Sequence, residues 1–421
     1  MSDLFPLLGL LLVAIGVGIV AARFRIPYTI GLVVFGFALG VIAERTTIPG
    51  LSSAVASLFT PTFFFDVLLP PIIFEAAIHV NFRYLWAHLR IVLFLVLGGV
   101  LFTTVFTGVL VGYLTAIPLT AALLLAAILS PTDPIAVVDM FRRLRVPEEL
   151  STIVESESIL NDAVGVVLFV VLLGLVETGS VSVVGSIFQF LWLVGGGIGV
   201  GLLAAGGLFL LHRRLNDASV ETALTVVAAF GSFLLATDLG ASGIIATAIT
   251  GIAVGSWVAP RAMESAVREV VNSFWGVLVY IVNSLVFLSI GLLFTLTTLI
   301  TYLPLILLVS VLLVLGRAIF VYAYRLVVRR STDPAARLPS AWYGTITLAG
   351  VRGVIPVVLA LSLLTTTTTL PDSTVRTILA VVLGVAFLSV VVNNLVAEYY
   401  VDRHFATKGE AANGSSPTRS P

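Results

Sequence analysis

Runs of about twenty consecutive apolar residues recur from one end of this chain to the other, and no other feature constrains its fold as strongly. VLFLVLGGVLFTTVFTGVLVGYL (92–114) is representative. At about 1.5 Å of rise per residue, such runs reach across the hydrocarbon core of a bilayer as helices. Inside lipid a segment must satisfy its own backbone N–H and C=O groups, so runs of this length are expected to be helical. Charged residues make up 10% of the 421, against about 25% in soluble domains. A soluble fold of this composition would have almost no polar surface to show water. Zero net charge argues against nucleic acid as a partner. The absence of cysteine excludes disulfides and thiolate metal sites.

The apolar runs divide into thirteen predicted spans, at about 3–22, 27–43, 57–79, 91–114, 117–141, 150–176, 183–211, 219–238, 241–258, 270–296, 302–326, 341–365 and 375–399. The first run lacks a basic leader and a small-residue cleavage site, so it is expected to be a retained helix. Residues 404–421 are small and polar and are expected to form a disordered cytoplasmic tail. With the N-terminus placed outside, eighteen basic residues fall on inside segments and only Arg45 and Arg376 on outside ones; Arg317 and Arg352 fall within spans. Cytoplasmic loops carry such an excess of basic residues, which predicts N-terminus outside and C-terminus cytoplasmic. An odd count leaves spans 1–6 and 8–13 running in opposite senses around span 7. The expectation is an all-α polytopic membrane protein, one membrane domain over 1–403, built from two inverted six-helix repeats.

Two spans are interrupted at matching places. Span 5 carries Pro131 and Pro134 around Thr132 and Asp133, and span 12 carries Gly350, Arg352, Gly353 and Pro356. Proline removes a helical hydrogen bond and clashes with the preceding turn. The fifth helix of each repeat is therefore expected to break near mid-membrane. Freed backbone there survives only inside protein or beside a wet cavity, and paired breaks are the best sequence pointer to a binding site.

Span 6 opens with ESESILNDAVG (155–165). At helical spacing Glu155, Ser158 and Asp162 share one face, with Glu157 and Asn161 on the adjoining one. Ionisable groups at membrane depth are candidates for function. A buried carboxylate needs a positive partner, and Arg352 supplies a fixed one for a single acid. A surplus acid must then hold a proton or a cation, while Asn, Ser and Thr offer neutral oxygens. Arg317 is expected to pair with an acid or to reach the inner surface, and Glu155 either to line a cytoplasmic funnel or to face water. Asp66 reads as a helix-end residue. Asn272, Asn283, Asn393 and Asn394 read as bonds between helices. The four histidines show no metal-ligand spacing.

LPPIIFEAAI (69–78), LSPTDPIAV (129–137), ESESILNDAVG (155–165) and AGVRGVIPVVLAL (349–361) together resemble the signature segments of NhaP-type sodium/proton antiporters. The resemblance covers nearly the whole chain. It implies that Asp162 carries either Na+ or H+, that Ser158 and Thr132 offer oxygens to the ion, and that Glu75 contributes to the site. Asn161 before Asp162 implies electroneutral exchange of one proton for one sodium. Asp133 would compensate facing half-helix ends, and Glu157 would pair with Arg352. No cofactor is implied beyond the transported Na+ and H+. A homodimer in the cell membrane is implied, with spans 1–3 and 8–10 as the interface unit and spans 4–6 and 11–13 as the moving core.

Three alternatives bear weighing. Potassium/proton exchange would use the same scaffold. An intramembrane aspartyl protease could take Asp133 and Asp162 as its dyad, but no Gly-x-Gly-Asp segment occurs. A channel needs a ring or repeated filter, which one asymmetric acid cluster does not supply.

Overall fold

The computed structural model describes residues 4–24, 26–46, 60–133, 135–179, 183–212, 217–329, 337–364 and 368–406. These residues form helices and connections, with no strand among them. In chain order the helices are α1 (Leu4–Phe24), α2 (Tyr28–Thr46), α3 (61–78), the short α4 (Phe82–Ala87), α5 (Leu89–Leu114), α6 (Leu119–Ile128), α7 (Ile135–Arg143), α8 (Glu148–Thr178), α9 (Val183–His212), α10 (Ala218–Asp238), α11 (Gly243–Ala262), α12 (Ser265–Leu293), α13 (Leu296–Arg329), α14 (Ser340–Leu348), α15 (Val354–Ser362) and α16 (Asp372–Phe405). Eight of them, α5, α8 to α13 and α16, are long and apolar enough to cross a membrane. Most of the tail expected over 404–421 lies outside the described residues.

The apolar runs form helices whose outward faces stay apolar. Leu203, Val227 and Ile300 are largely exposed, a surface suited to lipid tails and not to water. Inward, the helices pack in two sets. One set joins α2, α3 and α10 to α11 and α12; the other joins α5, α6, α8, α13, α15 and α16. The acidic helix α8 also touches α3 and α11, so it lies along the seam between the sets.

Both expected breaks are present. Helix α6 closes at Ser130, whose N–H and Oγ both donate to Ala127 O at 3.2 and 2.8 Å. Pro131 has no N–H to continue the ladder. Residues 131–133 form no regular element before α7, and Pro134 lies outside the described residues. Helix α14 closes when Ala349 N donates to Thr345 O at 2.8 Å, and α15 restarts after Gly353. The two gaps cross, and the N–H of Asp133 donates to Val351 O at 2.7 Å. Each gap thereby satisfies part of the backbone that the other leaves open.

Four of the helices contain π-helical turns, at Phe64–Leu68, Phe94–Gly99, Val254–Val258 and, twice in α16, Ser389–Asn393 and Asp402–Ala406. The turn at Ser389–Asn393 matters here. It presents Ser389 Oγ to the backbone N–H of Arg352 at 2.8 Å, and Asn393 Nδ2 donates to the same oxygen at 3.1 Å. Asn393 thus bonds within its own helix and not between helices.

Candidate ion-binding site at the helix crossing

Helix α8 brings its polar face to the crossing of the two gaps. Glu157, Ser158, Asn161 and Asp162 are all buried there, as are Thr132, Asp133 and Arg352. Burial of so many polar groups is tolerable only where partners are arranged for them. Asn161 supplies several. Its Oδ1 accepts from Thr132 N–H at 3.1 Å, and its Nδ2 donates to Thr132 Oγ1 at 2.7 Å and to Glu157 Oε1 at 3.1 Å. Thr132 Oγ1 also lies 3.1 Å from Ser158 Oγ. The amide therefore ties the opened part of the α6–α7 strand to α8. Close packing completes the joint, since a Cβ on Gly165 would stand 2.9 Å from Pro131 Cδ.

The fixed countercharge differs from the sequence expectation. Glu157 does not pair with Arg352. Arg317 of α13 holds it, Nη1 to Oε1 at 2.9 Å and Nη2 to Oε2 at 2.7 Å. The planar guanidinium fork matches both carboxylate oxygens, and its Nε donates to Ile346 O at 3.0 Å. Arg352 instead serves the gaps. Its Nε donates to Leu129 O at 3.2 Å, and its Nη1 donates to Gly350 O. It caps carbonyls freed by both interruptions, a task the linear motif does not reveal.

Asp133 lies against the start of α15. A Cβ on Gly353 would come within 2.5 Å of Asp133 Cβ and Cγ, so only glycine fits that approach. A carboxylate beside a helix N-terminus meets the positive end of the macrodipole. Asp162 lies on the same cavity as Asp133. It is 7% exposed, and its Oδ1 has no hydrogen-bond partner. Asp162, Asp133 and Thr132 line a cavity of about 30 Å³ together with Ile72, Gly353 and Pro356. That space fits one water or one small ion.

Glu75 lies elsewhere. It lines a wider cavity of about 400 Å³ with Glu155, Arg142, Tyr28 and Asn283, and its Oε1 is 3.5 Å from His79 Nδ1. Glu155 accepts from Ser151 Oγ at 2.7 Å on the same wall. Ile72 borders both cavities. Of the residues expected at the site, the structure brings together Thr132, Asp133, Glu157, Ser158, Asn161, Asp162 and Arg352, and sets Glu75 on the wider cavity. It adds Arg317 and Ser389. Arg317 carried a signal in the sequence, an arginine within an apolar span; Ser389 carried none.

The family model described as sodium/hydrogen exchanger, transmembrane, matches residues 8–401. The Na+/H+ antiporter ApNhaP of Aphanothece halophytica is 34% identical over 342 residues, 80% of this chain, and the chain spans 63% of that relative's length. The low-affinity Na+/H+ antiporter NhaS1 of Synechocystis is 31% identical over 406 residues, 94% of this chain and 72% of the relative. Among solved structures, the sodium proton antiporter MjNhaP1 of Methanocaldococcus jannaschii at pH 8 superposes with a TM-score of 0.79, over 96% of this chain and 99% of that one, at 23% identity. That likeness is one of fold.

Proposed function

The chain belongs to the sodium/hydrogen exchanger family, a multi-pass protein of the cell membrane, and from that premise we propose that it exchanges Na+ for H+, one for one, with Asp162 carrying either ion. The observation that carries this reading is the unpartnered Asp162 Oδ1 beside an ion-sized cavity, while Glu157 is already held by Arg317. Charge at the crossing makes the same point. Arg317 and Arg352 match two of the three carboxylates Asp133, Glu157 and Asp162. The third needs a proton or a monovalent cation for the buried cluster to be neutral, and an unbalanced charge is costly at membrane depth.

In this reading Asp162, Thr132 and Ser158 supply oxygens to Na+ as cargo. Asn161 positions Thr132, and Asp133, Glu157, Arg317 and Arg352 hold the scaffold. Glu75, on the wider cavity, would meet the ion on its way. Loaded with either ion, the core of spans 4–6 and 11–13 crosses against spans 1–3 and 8–10; empty, it does not. The thirteen-span arrangement is supported by a helix or broken helix in every predicted run, its N-terminus-outside orientation by the basic residues of the inside segments alone, and the division into units by the two packing sets. A homodimer through the spans 1–3 and 8–10 unit completes the proposal.

The experiment is Na+-driven acidification or alkalinisation in proteoliposomes. Exchange should vanish in Asp162→Ala and be indifferent to an imposed voltage. Wild-type rates in that variant would overturn the role of Asp162, and exchange current would overturn the one-for-one stoichiometry. Replacing Na+ by K+ in the same assay tests the potassium alternative.

A further inference from the structure

Far from the helix crossing, the end of α9 and the first turn of α10 bury a second ionisable pair. His212 and Glu221 have side chains 0% and 2% exposed, and His212 Nε2 lies 3.6 Å from Glu221 Oε2. The other ring nitrogen fixes the chemistry. His212 Nδ1 lies 3.0 Å from Leu208 O. A carbonyl oxygen only accepts, so Nδ1 must carry a hydrogen. In the neutral ring Nε2 is then a bare lone pair. It faces a carboxylate, which is also only an acceptor when ionised. Neither Nε2 nor Oε2 has a hydrogen-bond partner.

Two facing acceptors in a buried site repel, and one added proton removes the conflict. It resides either on Nε2, giving an imidazolium beside a carboxylate, or on Glu221, giving an acid that donates to the imidazole. Both forms have zero net charge. Loss of the proton leaves one negative charge where α9, α10 and α12 contribute Leu208, Ala229 and Val267 to a shared apolar cluster. The charged neighbours that act on Glu221 are Asp217, at the head of α10, and Glu264, just before α12. Arg213 and Arg214 lie outside the described residues.

We propose that His212 and Glu221 form a single proton-binding site, separate from the Asp162 site, whose bound proton holds the ends of α9 and α10 together. The pair acts as one titrating unit. Its contribution to stability is full while the proton is bound and is lost as pH rises and the proton leaves. Helix α9 is the element between the two proposed repeats, so the site reports pH to the junction of the halves.

Glu221→Gln supplies a permanent donor of the same shape to Nε2 without a proton. Thermal unfolding of the purified full chain, followed across neutral to alkaline pH, should show wild type losing several degrees of Tm that Glu221→Gln retains. Parallel curves for the two would overturn the proposal. Histidine-selective 15N labelling of wild type gives a readout that needs no variant to fold, because the chain has only four histidines. The expected result is Nδ1 protonated throughout, with Nε2 exchanging its proton as the pair titrates. A ring protonated only at Nε2 would sink the argument. Neither measurement involves transport, so the result stands or falls independently of the exchange reading.

Discussion

Arg317 and Glu157, 160 positions apart in the chain, meet as a bidentate pair at 2.9 and 2.7 Å inside the protein. Removing one partner of a buried ion pair leaves the other charge stranded. Arg317→Ala should therefore destabilise the fold by about 3–5 kcal/mol, read as a fall in Tm. The double variant Arg317→Met, Glu157→Gln removes both charges and should recover much of that loss. If the double variant is as unstable as the single one, the pair is not the source.

Asp162 has the opposite character. Its Oδ1 is buried without a hydrogen-bond partner, so it strains the fold it serves. Asp162→Asn replaces the carboxyl with a neutral group of the same shape. The variant should melt no lower than wild type while losing Na+-driven exchange. A lower Tm together with retained exchange would count against the site on both grounds.

Gly353 admits the Asp133 side chain to the start of α15. Gly353→Ala would force the two gaps apart, at a cost of about 1–3 kcal/mol typical of overpacking. Exchange should fall more steeply than stability, because the displaced segment also carries Thr132. The check is exchange rate measured per unit of folded protein.

Asn161 donates to Thr132 Oγ1 and Glu157 Oε1 through one NH2 group. Asn161→Asp removes that donor and sets a second carboxyl against Glu157. The expected loss is about 1–3 kcal/mol at neutral pH. The sign with pH is fixed: protonation restores a donor, so the deficit in Tm should shrink as pH falls and widen as it rises. A pH-independent deficit would show that the hydrogen-bond account is wrong.

How much of this was legible in the sequence depends on the range of the forces involved. The breaks were, because Pro131 lacks an N–H and Gly353 lacks a Cβ, which are local properties. The face shared by Ser158 and Asp162 was, because helical periodicity is local too. The partner of Glu157 was not. Arg317 and Arg352 both lie within apolar runs, and the choice between them turns on how the helices are rotated against each other. The resemblance implies that Glu75 contributes to the ion site, whereas Glu75 lines the wider cavity. The π-helical turn at Ser389–Asn393 has no composition to announce it, so the support that Ser389 gives Arg352 emerged only from the structure.

The hydrogen bond from Asp133 N–H to Val351 O uses main-chain atoms at both ends. No ordinary side-chain replacement at either position deletes it, apart from proline at 133. An alanine scan would pass over this joint and score both positions by their side chains alone. Swapping the amide at 133 for an ester, by semisynthesis or a hydroxy acid, would expose how strongly the crossing of the two gaps depends on one peptide hydrogen.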